Sequence, residues 1–184
     1  MRWPISRSSK APFSAAVSSP REKVVILQLE SDGMPEVWLV NQYLDRCVER
    51  AELTWHLSII IEMQDVHENV GFPTTEEQTL LTALRETIET SLEAKENALF
   101  LGSVTRQGTR QLLYRVRDPE RANAFLSALV ADPAAVRPME YRMEQDVEWA
   151  LAERYLGAVR VAANSETPTS RLVRSGGKIE IVDD

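Results

Sequence analysis

Hydrophobic and polar residues alternate along several short segments of the chain, a pattern typical of strands with one buried face. The clearest is 55–63, where the odd positions hold Trp55, Leu57, Ile59, Ile61 and Met63. Five other segments also have strand character: 23–30, 36–42, 98–105, 109–117 and 138–144. Asp32-Gly33 separates the first two of these, and Gln107-Gly108 separates the next two. Both pairs are therefore predicted to be β-hairpins.

Three segments have helical signals. Thr74 and Glu77 form a capping-box pattern, and apolar residues then recur at helical spacing, which predicts a helix over 75–92. Asp118 before Pro119 predicts the start of a second helix, which should end before Asp132-Pro133. A third helix is expected after Asp146, with Gly157 as its stop. The charged segment 43–53 is predicted to be a loop or a short helix.

From Trp55 to Glu144 the predicted order is strand, helix, strand, strand, helix, strand, which is the split βαβ order of ferredoxin-like domains. We therefore predict an α+β fold with a ferredoxin-like core, an added N-terminal hairpin and a C-terminal helix. A single domain is expected over 22–156. A disordered basic lead-in is predicted for 1–21, and 157–184 is predicted to be a tail with strand character only at 178–182.

Charge is unevenly distributed along the chain. Residues 1–21 carry four basic side chains and no acidic one, whereas 22–156 carry 13 Lys and Arg against 24 Asp and Glu, a net charge of -11. General binding to a nucleic-acid backbone needs clustered basic residues, so nucleic acid is an unlikely partner. RNA-recognition sheets also place aromatic residues on their open face, and the outward positions of 109–117 hold none.

The single cysteine, Cys47, cannot form an intrachain disulfide and suggests a reducing compartment. No apolar run is long enough to span a bilayer, and residues 1–20 lack the continuous apolar segment of a secretory signal. A cytoplasmic protein without membrane association is therefore expected.

The sequence does not contain a recognisable catalytic motif. The chain has no Gly-x-Ser-x-Gly elbow, Walker loop or dinucleotide fingerprint, so an enzyme is not expected and neither is a cofactor. The best metal candidate combines Glu62, Asp65, His67 and Glu68, with His56 further back. Their spacing does not match a metal-ligand motif, so a solvated loop is the favoured interpretation.

Short motifs in the second half of the chain resemble the bacterial domain-of-unknown-function 695 family. They are Gly102-x-x-Thr105-x-x-Gly108-x-Arg110-x-x-x-Tyr114 and Asp146-x-Glu148-Trp149, with Leu156 seven residues later. The resemblance covers roughly 23–156. It implies a relation, by company and fold type, to the regulator of ribonuclease activity B, and hence a regulatory or adaptor role.

Candidate partner-binding residues lie in and near the second hairpin and before the last helix. They are Ile60, Arg110, Leu113, Arg115, Arg117, Asp146 and Trp149. Alternation places Ile60, Leu113, Arg115 and Arg117 on the sheet face opposite the first two helices. This face is predicted to be either the partner surface or the seat of the N-terminal hairpin and the last helix. Arg110 could present its guanidinium to a partner carboxylate, with Trp149 as an anchor. The structural alternative, favoured for both residues, is that Arg110 pairs with Asp146 and that Trp149 fills the core.

The leading hypothesis is a non-catalytic regulator that binds another protein, which by the family analogy could be an enzyme of RNA metabolism. A second copy of the chain, forming a homodimer, is another option for the partner. One alternative is an immunity-type protein that neutralises a basic toxin. The other is a metal-dependent hydrolase that uses the acidic loop near Asp65 and His67.

Overall fold

The computed structural model describes residues 23–163, 171–175 and 178–182, although not the side chains of Lys95 or of the last two ranges. Within them lie three α-helices and eight strands. The helices are α1 (Thr75–Leu92), α2 (Pro119–Ala131) and α3 (Ala150–Ala163). The strands are β1 (Val24–Ser31), β2 (Met34–Asn41), β3 (Trp55–Glu62), β4 (Ala98–Arg106), β5 (Thr109–Val116), β6 (Met139–Gln145), β7 (Arg171–Ser175) and β8 (Lys178–Val182).

All eight strands belong to one sheet, in the order β6-β3-β5-β4-β2-β1-β7-β8. The pairs from β6 to β1 are antiparallel, and β1 pairs with β7 in parallel. The predicted α+β class is therefore confirmed, with an antiparallel sheet of six strands at its centre. The N-terminal hairpin β1–β2 extends the sheet on the free side of β4.

Local sequence signals explain the first hairpin and the first two helices. Asp32 and Gly33 both have positive φ, 54° and 76°, as the predicted tight turn requires. Thr74 caps α1 by accepting a hydrogen bond from the backbone N–H of Glu77. Asp118 caps α2 in the same way, with Pro119 as the first helical residue.

The sheet has a separate hydrophobic core on each side. On one side, α1 and α2 pack against the odd-numbered residues of β3, such as Ile59, and the even-numbered residues of β5, such as Leu112. On the other side, α3 packs against Trp38 and Val40 of β2 and against Leu113 of β5. The three helices are therefore divided between the two faces, and each side leaves part of the sheet uncovered.

The segment 43–53, predicted to be a loop or a short helix, contains two short 3₁₀ helices, Gln42–Arg46 and Val48–Ala51. The expected stop at Gly157 is wrong, because α3 continues to Ala163. The buried residues on both sides of Gly157, Leu156 and Ala158, pack in the core, and this packing outweighs the weak helix propensity of glycine.

The chain after Gly157 contains more regular structure than the sequence predicts. The tail does not begin at 157, and a strand occupies Lys178–Val182, where the sequence has strand character. β7, which joins this strand to the hairpin, was not predicted. The lead-in predicted for 1–21 lies outside the described residues. No helix in the described part of the chain has both the length and the hydropathy needed to cross a membrane.

Candidate functional site

Arg115 of β5 is completely buried and is held by a set of hydrogen bonds. Its Nη1 donates to Asp146 Oδ2 at 2.7 Å, and its Nη2 donates to the backbone oxygens of Asp146 and Leu53 at 2.7 and 2.9 Å. Burial lowers the pKa of Arg115, and the adjacent Asp146 carboxylate opposes that effect. The guanidinium therefore ties β5 to the segments that precede β3 and α3.

Trp149 completes this buried cluster. Two guanidinium groups lie over its ring, with Arg115 at 4.4 Å and Arg50 at 4.7 Å from the ring centroid. The indole N–H donates to the backbone oxygen of Arg50 at 3.1 Å, and the side chain has no exposed surface. The interpretation that Trp149 fills the core is confirmed, whereas its role as a partner anchor is wrong.

Three further candidates, Leu113, Arg115 and Asp146, are also buried and do not form a partner surface. Leu113, Arg115 and Asp146 are 1%, 0% and 8% exposed, on the side of the sheet where α3 packs. Buried side chains cannot contact a partner, so these residues stabilise the domain instead. The predicted pairing of Arg110 with Asp146 is also wrong, because Asp146 pairs with Arg115.

The remaining three candidates are accessible but do not form one site. Ile60 is half-buried on the open part of the sheet, and Arg117 forms a surface ion pair of 2.7 Å with Glu52. Arg110 lies on the other face, where its register partner on β4 is Thr105. The seven candidates are therefore divided between the two faces of the sheet and the interior.

Arg110 is held by neutral partners. Its Nε donates to Thr105 Oγ1 at 3.0 Å, and its Nη2 donates to Gln78 Oε1 of α1 at 2.8 Å. Burial, together with the charge of Arg85, lowers the pKa of Arg110 to about 10, so the guanidinium keeps its charge at neutral pH. Among the described residues, Arg110 has no carboxylate partner.

Four apolar side chains lie on the face of the first hairpin next to Arg110. They are Val24, Ile26, Val37 and Leu39, which we call the hairpin face, and the exposed Gln28 lies on the same side, opposite Val37. Val24 and Ile26 are 37% and 59% exposed, and Val37 and Leu39 are half-buried. The strand register places Val37 opposite Thr105, which in turn lies opposite Arg110.

A run of four consecutive apolar residues in β1 is the sequence signal for this surface. Val24, Val25, Ile26 and Leu27 are all apolar, so β1 carries hydrophobic residues towards both faces of the sheet. Strands of that kind are normally covered on both sides. Here α3 packs on the side of Leu27, and Ile26 on the other side remains exposed.

A second open surface lies on the α3 side of the sheet, beyond the helix. It is a cleft of about 500 Å³ lined by residues of β3, β5 and β6: Ser58, Ile60, Gln111, Glu140, Tyr141, Arg142 and Glu144. Gln111 donates to Ser58 at 2.7 Å, and Arg142 pairs with Glu144 at 3.0 Å. Acidic groups outnumber basic ones here, which gives the cleft a negative charge.

His56 lies on the same face as this cleft, at its boundary with the buried Arg115 cluster. Burial, followed by the charge of Arg115, lowers its pKa from 6.5 to about 4. Its Nδ1 is buried and has no hydrogen-bond partner in the described structure. The ring is therefore neutral at physiological pH.

The acidic loop has the geometry of a structural turn. Asp65 accepts a hydrogen bond of 2.6 Å from the Thr74 hydroxyl, and the backbone N–H of His67 donates to the backbone oxygen of Phe72 at 2.8 Å. In the parts of the chain that the structure describes, no three His, Cys, Asp or Glu side chains are placed to hold a metal ion.

The family model for DUF695, a family of unknown function, matches residues 25–156. The chain belongs to this family. The matched region runs from β1 to the middle of α3 and includes the hairpin face, Arg110 and the buried Arg115 cluster. No curated protein and no solved structure matches the chain.

Proposed function

We propose that this protein is a non-catalytic regulatory or adaptor domain that binds another protein. The observation that carries this proposal is the hairpin face, where Ile26 is 59% exposed beside three other apolar side chains. Contiguous apolar surface on a soluble domain commonly marks a site of protein association. The proposed place of action is the cytoplasm, in line with the lone Cys47.

A ferredoxin-like topology, which we infer for the core, is consistent with a protein-binding regulatory role. The strand order β6-β3-β5-β4, with α1 and α2 packed on one side, is the order expected for a ferredoxin-like core. By resemblance to the regulator of ribonuclease activity B, the proposed partner is an enzyme of RNA metabolism. Because fold alone does not define function, this part of the proposal rests on analogy.

Affinity capture with matched variants tests the proposal. Full-length wild-type protein, Ile26→Glu and Val48→Glu would each be used to capture proteins from native lysate. Val48 is 88% exposed and lies outside the hairpin face, so it is a suitable control for an added surface charge. We expect one protein to be recovered with wild type and Val48→Glu and lost with Ile26→Glu. Equal recovery with all three would contradict a role for the hairpin face.

The acidic cleft favours a second candidate, an immunity-type protein that neutralises a basic toxin. Glu140 and Glu144 line this cleft, and the chain as a whole has a net charge of -7. Such a surface attracts a basic protein electrostatically. The test is co-expression with a basic nuclease encoded by a neighbouring gene. Rescue of growth by wild type and its loss with Glu140→Lys and Glu144→Lys together would favour this candidate.

A further inference from the structure

Arg110 has an unusual environment for a charged side chain. Most of its surface is withdrawn from solvent, yet its two hydrogen bonds go to the neutral oxygens of Thr105 and Gln78. Its Nη1 does not donate to any residue in the described ranges. Partly buried charges are normally paired with an opposite charge, and Arg110 does not form an ion pair with a carboxylate of the described residues.

Two acidic side chains of α1, Glu77 and Glu89, form hydrogen bonds with other arginines, although the charge of Glu77 still favours the charged form of Arg110. Glu77 accepts two hydrogen bonds from Arg137, at 2.8 and 2.5 Å, and one from the backbone N–H of Gln64. Glu89 accepts a hydrogen bond of 2.5 Å from Arg85, whose guanidinium lies 3.7 Å from the centroid of the Phe100 ring. Arg85 adds a second positive charge near Arg110. The local field therefore favours an anion from outside this group of residues.

The position of Arg110 relative to the hairpin face indicates what kind of ligand carries this anion. Arg110, Thr105 and Val37 occupy one row across β5, β4 and β2. Two strand spacings separate the ends of this row, roughly 10 Å, and an extended chain covers about 3.3 Å per residue. Side chains of an extended segment alternate between its two sides, so an acidic residue about two or four positions from an apolar one can reach both.

Charge argues against the N-terminal segment of this chain as the occupant. Residues 1–21 carry Arg2, Arg7, Lys10 and Arg21 and no acidic side chain. A segment with this composition cannot supply a carboxylate, and its charges would repel Arg110 and Arg85. The occupant that complements the surface is an acidic and apolar segment of another protein.

We propose that Arg110 binds a carboxylate of a partner segment whose apolar side chain packs on the hairpin face. This inference rests on the proposed protein-binding function and specifies the chemistry of the partner. The guanidinium is held in place by Thr105 and Gln78 before the partner arrives, so little side-chain freedom is lost on binding.

The test uses the full-length protein and an array of immobilised ten-residue peptides. Each peptide carries two leucines and one Asp or Glu at varied spacing, and a matched peptide carries Asn or Gln instead. Wild type should bind the best acidic peptide about tenfold more tightly than its amide counterpart, because charge-assisted hydrogen bonds are the stronger ones. Arg110→Gln should lose this preference. Arg110→Lys should keep part of it, and Arg142→Gln, on the other face, should keep all of it.

Other outcomes distinguish a failure of the Arg110 proposal from a failure of the proposed protein-binding function. Equal binding of acidic and amide peptides, with loss of both on Ile26→Glu, would overturn the role of Arg110 and leave the proposed function in place. Insensitivity of peptide binding to Ile26→Glu would count against both. A dimer in solution that dissociates on Arg110→Gln would identify a second copy as the occupant and overturn the proposal. Tighter peptide binding after removal of residues 1–22 would identify that segment as the occupant and would also overturn the proposal.

Discussion

Arg115 and Asp146 form an ion pair of 2.7 Å in which the two side chains are 0% and 6% exposed. Asp146 also accepts a hydrogen bond from the backbone N–H of Leu151, near the start of α3. One carboxylate therefore neutralises the buried guanidinium and fixes the beginning of the helix that covers it. The pair stabilises the fold and does not form part of a surface.

Asp146→Asn should destabilise the protein by about 3 to 5 kcal/mol, because the charge of Arg115 would stay buried without its counter-ion. Urea unfolding at pH 7 measures this loss. Glu52→Gln is the matched control, since it removes the exposed partner of Arg117 and should change the free energy of unfolding by about 0.5 kcal/mol or less. Similar effects of the two variants would contradict the buried role of the pair.

Trp149→Ala should cost about 3 to 5 kcal/mol, the usual effect of emptying a buried aromatic site. Trp149 also has a φ of 61°, a left-handed conformation that glycine adopts more easily than alanine. Trp149→Gly should therefore be about 1 kcal/mol more stable than Trp149→Ala, although it removes one more methyl group. The opposite order in thermal unfolding would show that the backbone relaxes when the ring is lost.

Stability should fall as the pH drops from about 6.5 to about 4, because His56 is neutral in the folded protein and becomes protonated more easily in the unfolded chain. The pKa difference corresponds to about 3 kcal/mol over this window. Urea unfolding of wild type and His56→Gln at several pH values isolates the effect. His67→Gln, at an exposed position, should retain the wild-type dependence. If the stability of His56→Gln fell with pH in the same way as that of wild type, the effect would belong to other titratable groups.

Gly102→Ala should destabilise the sheet by about 3 kcal/mol, because a Cβ atom at this position would lie 2.3 Å from the backbone oxygen of Leu39 on β2. Gly157→Ala is the matched control. Its Cβ atom would have no contact closer than the Arg160 side chain at 3.8 Å, and alanine has a higher helix propensity than glycine. Gly157→Ala should therefore raise the thermal midpoint, whereas Gly102→Ala should lower it. Tolerance of Gly102→Ala would mean that β2 and β4 can move apart.

Local signals were sufficient for most of the elements but not for the positions of the helices on the sheet. Thr74 and Asp118 mark helix starts by their own side-chain chemistry, and the alternation in β3 identifies its buried face. Nothing local shows which part of the sheet α3 covers. For this reason the sequence leaves two possibilities for the face of Leu113 and Arg115, a partner surface or a seat for the last helix, and the structure shows the second.

The candidate site is harder to predict than the fold, because the sequence does not show which ion pairs form. Arg110 and Asp146 are 36 positions apart in the sequence, and Arg115 is a competing partner only five positions further along β5 than Arg110. The choice follows from the side of the sheet on which each side chain lies, because Arg110 faces α1 and Arg115 faces the loop before α3. That arrangement follows from tertiary packing.

The division of the helices between the two faces has a consequence for local unfolding. One core joins α1 and α2 to β3, β4, β5 and β6, and the other joins α3 to β1, β2, β4 and β5, so the two cores share only the strands β4 and β5. We expect native-state hydrogen exchange to show two cooperative units with different opening free energies. A ligand on the hairpin face would then slow hydrogen exchange in β1 and β2 and also in α3, which packs on the opposite face of these strands. Exchange in α2 would not change.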